Sequence, residues 1–222
     1  MLNKQQRQTK RTERERAMRS KAKIAVFVSG GGTNLQALID AEQAGRIPDG
    51  EITLVISSRK DAYALERAAK AGIETAAFSK KELGGQQAFE DAICGLLDSK
   101  GVDLIVLAGF MTILSENFVK RYDHRIVNVH PSLIPSFCGQ GFYGLKPHEA
   151  ALERGVKVTG ATVHFVNEIA DGGDIIAQKA VNVEEGDTPE VLQRRVMEEA
   201  EWKILPEAVA KICRELQIGR IQ

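Results

Sequence analysis

The chain lacks any run near the roughly 20 consecutive apolar residues that a bilayer-crossing helix needs, although 43% of its 222 residues are hydrophobic. Its opening stretch, MLNKQQRQTKRTERERAMRS, contains no apolar segment that could act as a secretory h-region. Both absences point to a cytoplasmic protein without a membrane partner. Cysteine is scarce: Cys94, Cys138 and Cys213 are an odd number at wide spacing with no CxxC, which argues against a disulfide framework or a cysteine zinc site and leaves reduced thiols. The four histidines, His124, His130, His148 and His164, show no metal-ligand spacing, so no metal is expected. Repeats and low-complexity segments are missing as well, which leaves an ordinary globular composition of a size suited to one α/β domain.

Net charge is also absent, with 30 Lys and Arg against 30 Asp and Glu, but the balance is uneven along the chain. Residues 1–23 hold nine of the basic side chains and two of the acidic ones, leaving 21 basic against 28 acidic residues elsewhere. The basic stretch has no aromatic residue for base stacking, and the body is acidic, so no nucleic-acid partner is expected. Residues 1–22 read as a basic N-terminal extension, poorly ordered or helical, with Met18 a second candidate start, and residues 23–222 as a single domain.

From Ile24 onward, short β-branched runs alternate with amphipathic stretches, the pattern of an α/β fold with an open, mostly parallel, Rossmann-like sheet and helices on both faces. Ile24–Val28, Ile52–Ser57, Thr75–Phe78, Asp103–Ala108 and Ile126–His130 read as the parallel strands. Between them, Leu35, Leu38 and Ile39, then Ala62–Ala71, then Phe89, Ile93, Leu96 and Leu97 carry helical spacing. After Pro135 a loop rich in Gly and aromatics, SFCGQGFYGLKPH, leads into a short helix. Lys157–Val166 then alternates strictly, and Ile175–Val183 is its pairing partner, which predicts antiparallel strands at the C-terminal sheet edge. The last helix opens at Thr188 with Pro189 at its first position and runs towards Leu216, with a break expected at Pro206.

Three segments carry candidate chemistry. Ser29-Gly30-Gly31-Gly32-Thr33-Asn34 follows a strand and precedes a helix. Glycines allow close approach of an anion, and the first helical amides point towards it, which suits a phosphate monoester; a tight strand-to-helix turn is the plain alternative. Leu35 three places after Gly32 rules out the dinucleotide fingerprint, and no Gly-Lys-Ser/Thr forms a Walker loop. In Ile126–His130 the period of two puts Asn128 and His130 on one face, at the strand end where ligands bind in open α/β sheets, and Pro131 ends the ladder. In Gly160–Val166, Thr162 and His164 share one face and Val163 and Phe165 the other, so one face is core and the other is polar and available to a site. Asp171, in the Asp-Gly-Gly-Asp turn, acquires chemistry if folding brings it to His130, where a carboxylate favours the imidazolium.

SGGGTN, LAGFM-x-IL, NVHPSLIP, GATVHFV and DGGDII, in this order over residues 23–212, resemble the phosphoribosylglycinamide formyltransferases, folate-dependent enzymes of purine synthesis within the wider formyltransferase group. Two other members of that group, methionyl-tRNA formyltransferase and formyltetrahydrofolate deformylase, each carry an extra domain that 222 residues do not accommodate. The resemblance implies 10-formyltetrahydrofolate as cosubstrate, phosphoribosylglycinamide as acceptor, and a monomer or homodimer. It makes Asn128, His130 and Asp171 the catalytic trio and Gly32, Thr33 and Asn34 the phosphate loop. Glu201 matches a substrate-binding glutamate, while Met111, Thr112, Ile113 and Leu114, with Asn128, match the segment that receives the folate. Lys146-Pro147-His148 falls in a region that touches substrate in the family. Two departures concern the folate: Thr112 replaces a common basic residue and Gln86 an arginine. A formyl hydrolase, a formyltransferase for another amine, and a non-enzymatic module that binds a phosphoryl ligand stand as alternatives.

Overall fold

A computed structural model of the chain describes residues 20–221. The expected extension lies almost wholly at residues 1–19, outside the described residues. The first strand, β1 (Ala22–Val28), opens two residues before the apolar run that signals it.

The chain then alternates as its periodicity predicts: α1 (Thr33–Gln43), β2 (Gly50–Ser57), α2 (Tyr63–Lys70), β3 (Glu74–Ala77), α3 (Gln86–Lys100) and β4 (Leu104–Leu107). A six-residue helix, α4 (Glu116–Arg121), precedes β5 (Ile126–His130), and α5 (Lys146–Arg154) precedes β6 (Val158–Phe165) and β7 (Ile175–Asn182). The chain closes with α6 (Pro189–Val196), a π-helical turn at Met197–Glu201, and α7 (Trp202–Gln217). The strands form one sheet of order β3-β2-β1-β4-β5-β6-β7. The first five are parallel, whereas β6 runs antiparallel to both β5 and β7.

A strand with helices on both sides must be apolar on both faces, and β1 shows why. Ile24, Val26 and Val28 enter one core with Leu35, Leu38 and Ile39 of α1, Ala64 and Ala68 of α2, and Leu205 and Val209 of α7. Ala25 and Phe27 enter the other, with Phe89, Ile93 and Leu97 of α3 and Phe118 of α4. The strand order reverses between β1 and β4, so the loops leaving their C-terminal ends part and open a crevice, the usual ligand position in such sheets.

Thr188 caps α6 as expected, accepting from the Val191 amide, with Pro189 at the first position. The break expected at Pro206 is not there: Pro206 lies inside α7, and α geometry is lost earlier, in the π turn. A proline removes one N–H and crowds the carbonyl four residues back, here Trp202, the first residue of α7, so the disturbance falls at the start of the helix and the rest runs on.

Candidate active site

The crevice holds a cavity of about 690 Å³ that gathers the three candidate segments. Gly32, Thr33, Asn34, Met111, Asn128, His130, Asp171 and Glu201 all line it, although they come from five separate stretches of chain. His148 of α5 also lines it, whereas Lys146, Thr112, Ile113 and Leu114 do not. Ile113 projects outward at the rim and Leu114 packs against the Phe27 core.

In the glycine loop, the carbonyls are committed to helices. Gly30 O accepts from the Ala64 amide, Gly31 O from Arg67 Nε at 2.8 Å, and Gly32 O from the Gln36 amide. The amides are therefore the groups left for a ligand, in the manner of an anion nest. Gly32 has φ 73° and a Cβ there would come within 2.6 Å of Ala64 Cβ, so only glycine fits. Arg59, just beyond β2, also lines the cavity and is paired with Asp61.

Glu201 ends the π turn, buried, and accepts from Asn34 Nδ2 at 2.6 Å. Burial pushes its carboxyl up to about 7 against the opposing pull of Asn34. The π turn thus brings an acid on the C-terminal helix to the first turn of α1.

At the end of β5, Asn128 lies opposite His164 and His130 opposite Thr162 across the antiparallel pair. A carbonyl can only accept, so the bond of His164 Nδ1 to Phe165 O at 2.7 Å places a proton on Nδ1. In the neutral ring Nε2 is then an acceptor, and it takes one N–H of Asn128 Nδ2 at 3.2 Å. This orients the Asn128 amide and leaves its second N–H for the cavity. By the same logic, His130 Nε2 donates to Phe137 O at 2.9 Å, so Nδ1 is the nitrogen free for chemistry.

Asp171 joins both rings: Oδ2 is 3.4 Å from His130 Nδ1 and Oδ1 is 3.6 Å from His164 Nε2. It also accepts from the Gly139 amide at 2.8 Å, and its own φ is 55°. Burial raises its carboxyl, but the neighbouring His164 and His130 rings and the Gly139 amide together hold it below the usual carboxylate value. His130 is lowered too, which in its case favours the neutral form: burial takes it below the ordinary imidazole value in spite of Asp171 and the Phe137 carbonyl. His148 is lowered to about 4 by burial and by His130, and neither ring nitrogen has a hydrogen-bond partner among the described residues.

Sequence reasoning placed Thr162 and His164 on one polar face; the structure divides them. His164 orients Asn128, whereas Thr162 is a buried structural link that donates to Ser132 O at 2.6 Å. Cys138 stands in the turn between Phe137 and Gly139, and its thiol bonds to Pro135 O. Sequence reasoning missed the orientation of Asn128 by His164, and it missed the burial of Glu90 within α3. The available signal for Glu90 was an acid at the i, i+3, i+7 positions it shares with Ile93 and Leu97 on the apolar stripe of α3.

A parallel sheet with this switch point, an anion loop after β1 and an Asn/His pair at the end of β5 define a class, and the comparisons name it. A profile described as "Formyl transferase" matches residues 22–209, and the chain belongs to that family. Within it, the phosphoribosylglycinamide formyltransferase of Haemophilus influenzae is 45% identical over 83% of this chain and 84% of its own. The human trifunctional purine biosynthetic protein adenosine-3 is 44% identical over 88% of this chain, which spans 19% of that protein's length. The chain likewise spans about a fifth of the chicken and bovine trifunctional proteins. Among solved structures, glycinamide ribonucleotide transformylase 1 of Symbiobacterium toebii superposes with a TM-score of 0.81 at 44% identity, covering 87% of this chain and 88% of its own. The Brucella melitensis phosphoribosylglycinamide formyltransferase gives 0.80 at 43%, covering 87% and 96%.

Proposed function

We propose that the protein transfers the formyl group of 10-formyltetrahydrofolate to the primary amine of phosphoribosylglycinamide. The observation that carries this reading is the convergence, around one cavity, of an anion loop and an Asn128, His130, Asp171 cluster with an orienting partner on every member. The names of the relatives agree with it.

The ribonucleotide phosphate sits on the amides of Gly32, Thr33 and Asn34, and Glu201 receives the sugar side of the same substrate. The folate lies along Met111, Thr112, Ile113 and Leu114 towards Asn128; Met111 and Ile113 are exposed apolar side chains that suit a flat heterocycle at the cavity rim. The bound folate supplies an activated formyl group. As the amine attacks the formyl carbon, negative charge grows on the formyl oxygen, and the second N–H of Asn128 donates to it. His130, which takes up a proton from bulk water at Nδ1 as the ligands bind and returns it when the products leave, is the second donor, its imidazolium charge balanced by the nearby Asp171 carboxylate. Because burial keeps His130 below the ordinary imidazole value in the free protein, its protonation is tied to the arriving negative charge. Asp171, held anionic, accepts the amine proton and passes it through a water to the departing folate nitrogen.

The test is tetrahydrofolate release from 10-formyltetrahydrofolate with and without the ribonucleotide. Release that requires the ribonucleotide is the expected result. Release without it indicates a hydrolase, and no release in either case leaves a phosphoryl-ligand module.

A further inference from the structure

We propose that Glu90 is the positioning residue of the folate-receiving segment, an inference that rests on the function proposed above. Glu90 is a buried carboxylate, 4% exposed, on the inner face of α3. Its partners are all uncharged donors: the Ser115 amide at 2.6 Å, the Ser115 hydroxyl at 2.5 Å, and Gln86 Nε2, one turn earlier on α3. The same Gln86 nitrogen reaches the Ile113 carbonyl at 3.0 Å. A buried charge is tolerated only where hydrogen bonds replace its water, so these donors cannot drift without leaving the carboxylate unsatisfied.

The effect falls on residues 111–115. Their other end is fixed independently, because the Met111 amide donates to Ser29 Oγ at 2.9 Å and Ser29 bonds Ser58 at the end of β2. The segment is therefore pinned at Met111 from the sheet and at Ile113 and Ser115 from α3. At Ile113 the side chain is 84% exposed, so the hydrogen bond to its carbonyl, and not side-chain packing, fixes the backbone there. Glu90 touches neither His130 nor Asp171 and does not line the cavity. Its influence should reach the folate's binding and spare both the chemical step and the ribonucleotide.

The experiment compares the unaltered chain with Glu90→Gln and Gln86→Ala. It measures kcat, both KM values, the calorimetric Kd for tetrahydrofolate, and Tm. Glu90→Gln keeps the volume but presents an amide where two donors from Ser115 converge. It is expected to raise the folate KM and the tetrahydrofolate Kd about tenfold, the scale for losing a charge-assisted hydrogen bond. The ribonucleotide KM and kcat should stay within about twofold. Ser115→Ala, a third variant, removes the hydroxyl donor to Glu90 at a residue that does not line the cavity; it gives the same split at about threefold, as does Gln86→Ala, and it carries the test alone if Glu90→Gln does not fold. An unchanged folate KM, or all constants worsening together with a falling Tm, overturns the proposal. If the unaltered chain neither binds tetrahydrofolate nor turns over, the functional reading fails; if it does both and the split is absent, only the role of Glu90 fails.

Discussion

Removing one partner of a buried polar pair costs more than the pair contributes, because the group left behind stays desolvated. In the Asn128, His130, Asp171 cluster each side chain is held by at least one other, so each truncation removes a donor or acid/base group and also loosens its neighbour. Asn128→Ala, His130→Ala and Asp171→Ala are each expected to lower kcat by at least about 10²-fold, the scale for one oxyanion donor or acid/base group. Steady-state kinetics of the three decides it, and near-normal turnover in all would remove the cluster from the chemistry. Glu201 allows a test without substrate. Its carboxyl, raised by burial to about 7, keeps its proton in the folded state where the unfolded chain has lost it. Its contribution is therefore full below the ordinary value of 4.5 and is lost as pH rises towards 7, a change of about 3 kcal/mol. His148, lowered to about 4, has the opposite slope, losing stability as pH falls below 6.5, so the two oppose each other in the unaltered protein. The difference between Glu201→Gln and the unaltered chain isolates the first: denaturant titrations should show the variant gaining relative stability from pH 4.5 to 7. A flat difference would mean that Glu201 is not held protonated.

Single elements were legible where one physical cause dominates. β1, β2 and β4 stand out because a strand buried on both faces is largely continuously apolar, whereas the half-exposed edge strand β3 is marked more weakly, and Thr188 with Pro189 is a local start signal that tertiary contacts did not overrule. α4 was not legible, since six residues are too few to display a helical period. In β6 the alternation suggested one polar, accessible face, yet Thr162 and His164 are buried, because Ser132 O, Asn128 and Asp171 supply the partners that water would have given. Ser132 and Asn128 lie 30 and 36 positions away from the residues they partner and leave no mark in a local window. The β6–β7 connection shows how an element sets the site. A Cβ on Gly173 would come within 1.9 Å of Phe165 O, while Phe165 N donates to Asp174 O at 2.9 Å. Gly173→Ala must therefore open this turn, which carries Asp171. A fall in kcat of at least about tenfold with a lowered Tm is expected. Full activity would show that Asp171 is placed by its own contacts with Gly139 and the two histidines.

At the scale of the molecule, the site exists because the sheet reverses its strand order between β1 and β4, and the first turn of α1 meets the π turn before α7 across that crevice. Asn34 and Glu201 are 167 residues apart and hydrogen-bonded; only the topology brings them together. The motifs, each local, could be found one at a time in the sequence, whereas the Glu201 contact, the π turn that aims it and the orientation of Asn128 by His164 belong to the assembled sheet. The same assembly makes the glycine loop a joint between α1 and α2, through Gly32 O and Gly30 O, so a phosphate held by its amides should brace both helices against β1. A ligand at 100 times its Kd stabilises the folded state by about 2.7 kcal/mol, which in a chain of this size corresponds to about 5–10 °C in Tm. Phosphoribosylglycinamide at that ratio is expected to produce such a shift. The dephosphorylated riboside at the same concentration should produce almost none, because it lacks the anion for the amides of Gly32, Thr33 and Asn34. Calorimetric melting with the two compounds measures this directly. Equal shifts from both would take the phosphate off the loop and leave recognition to Glu201 and the sugar.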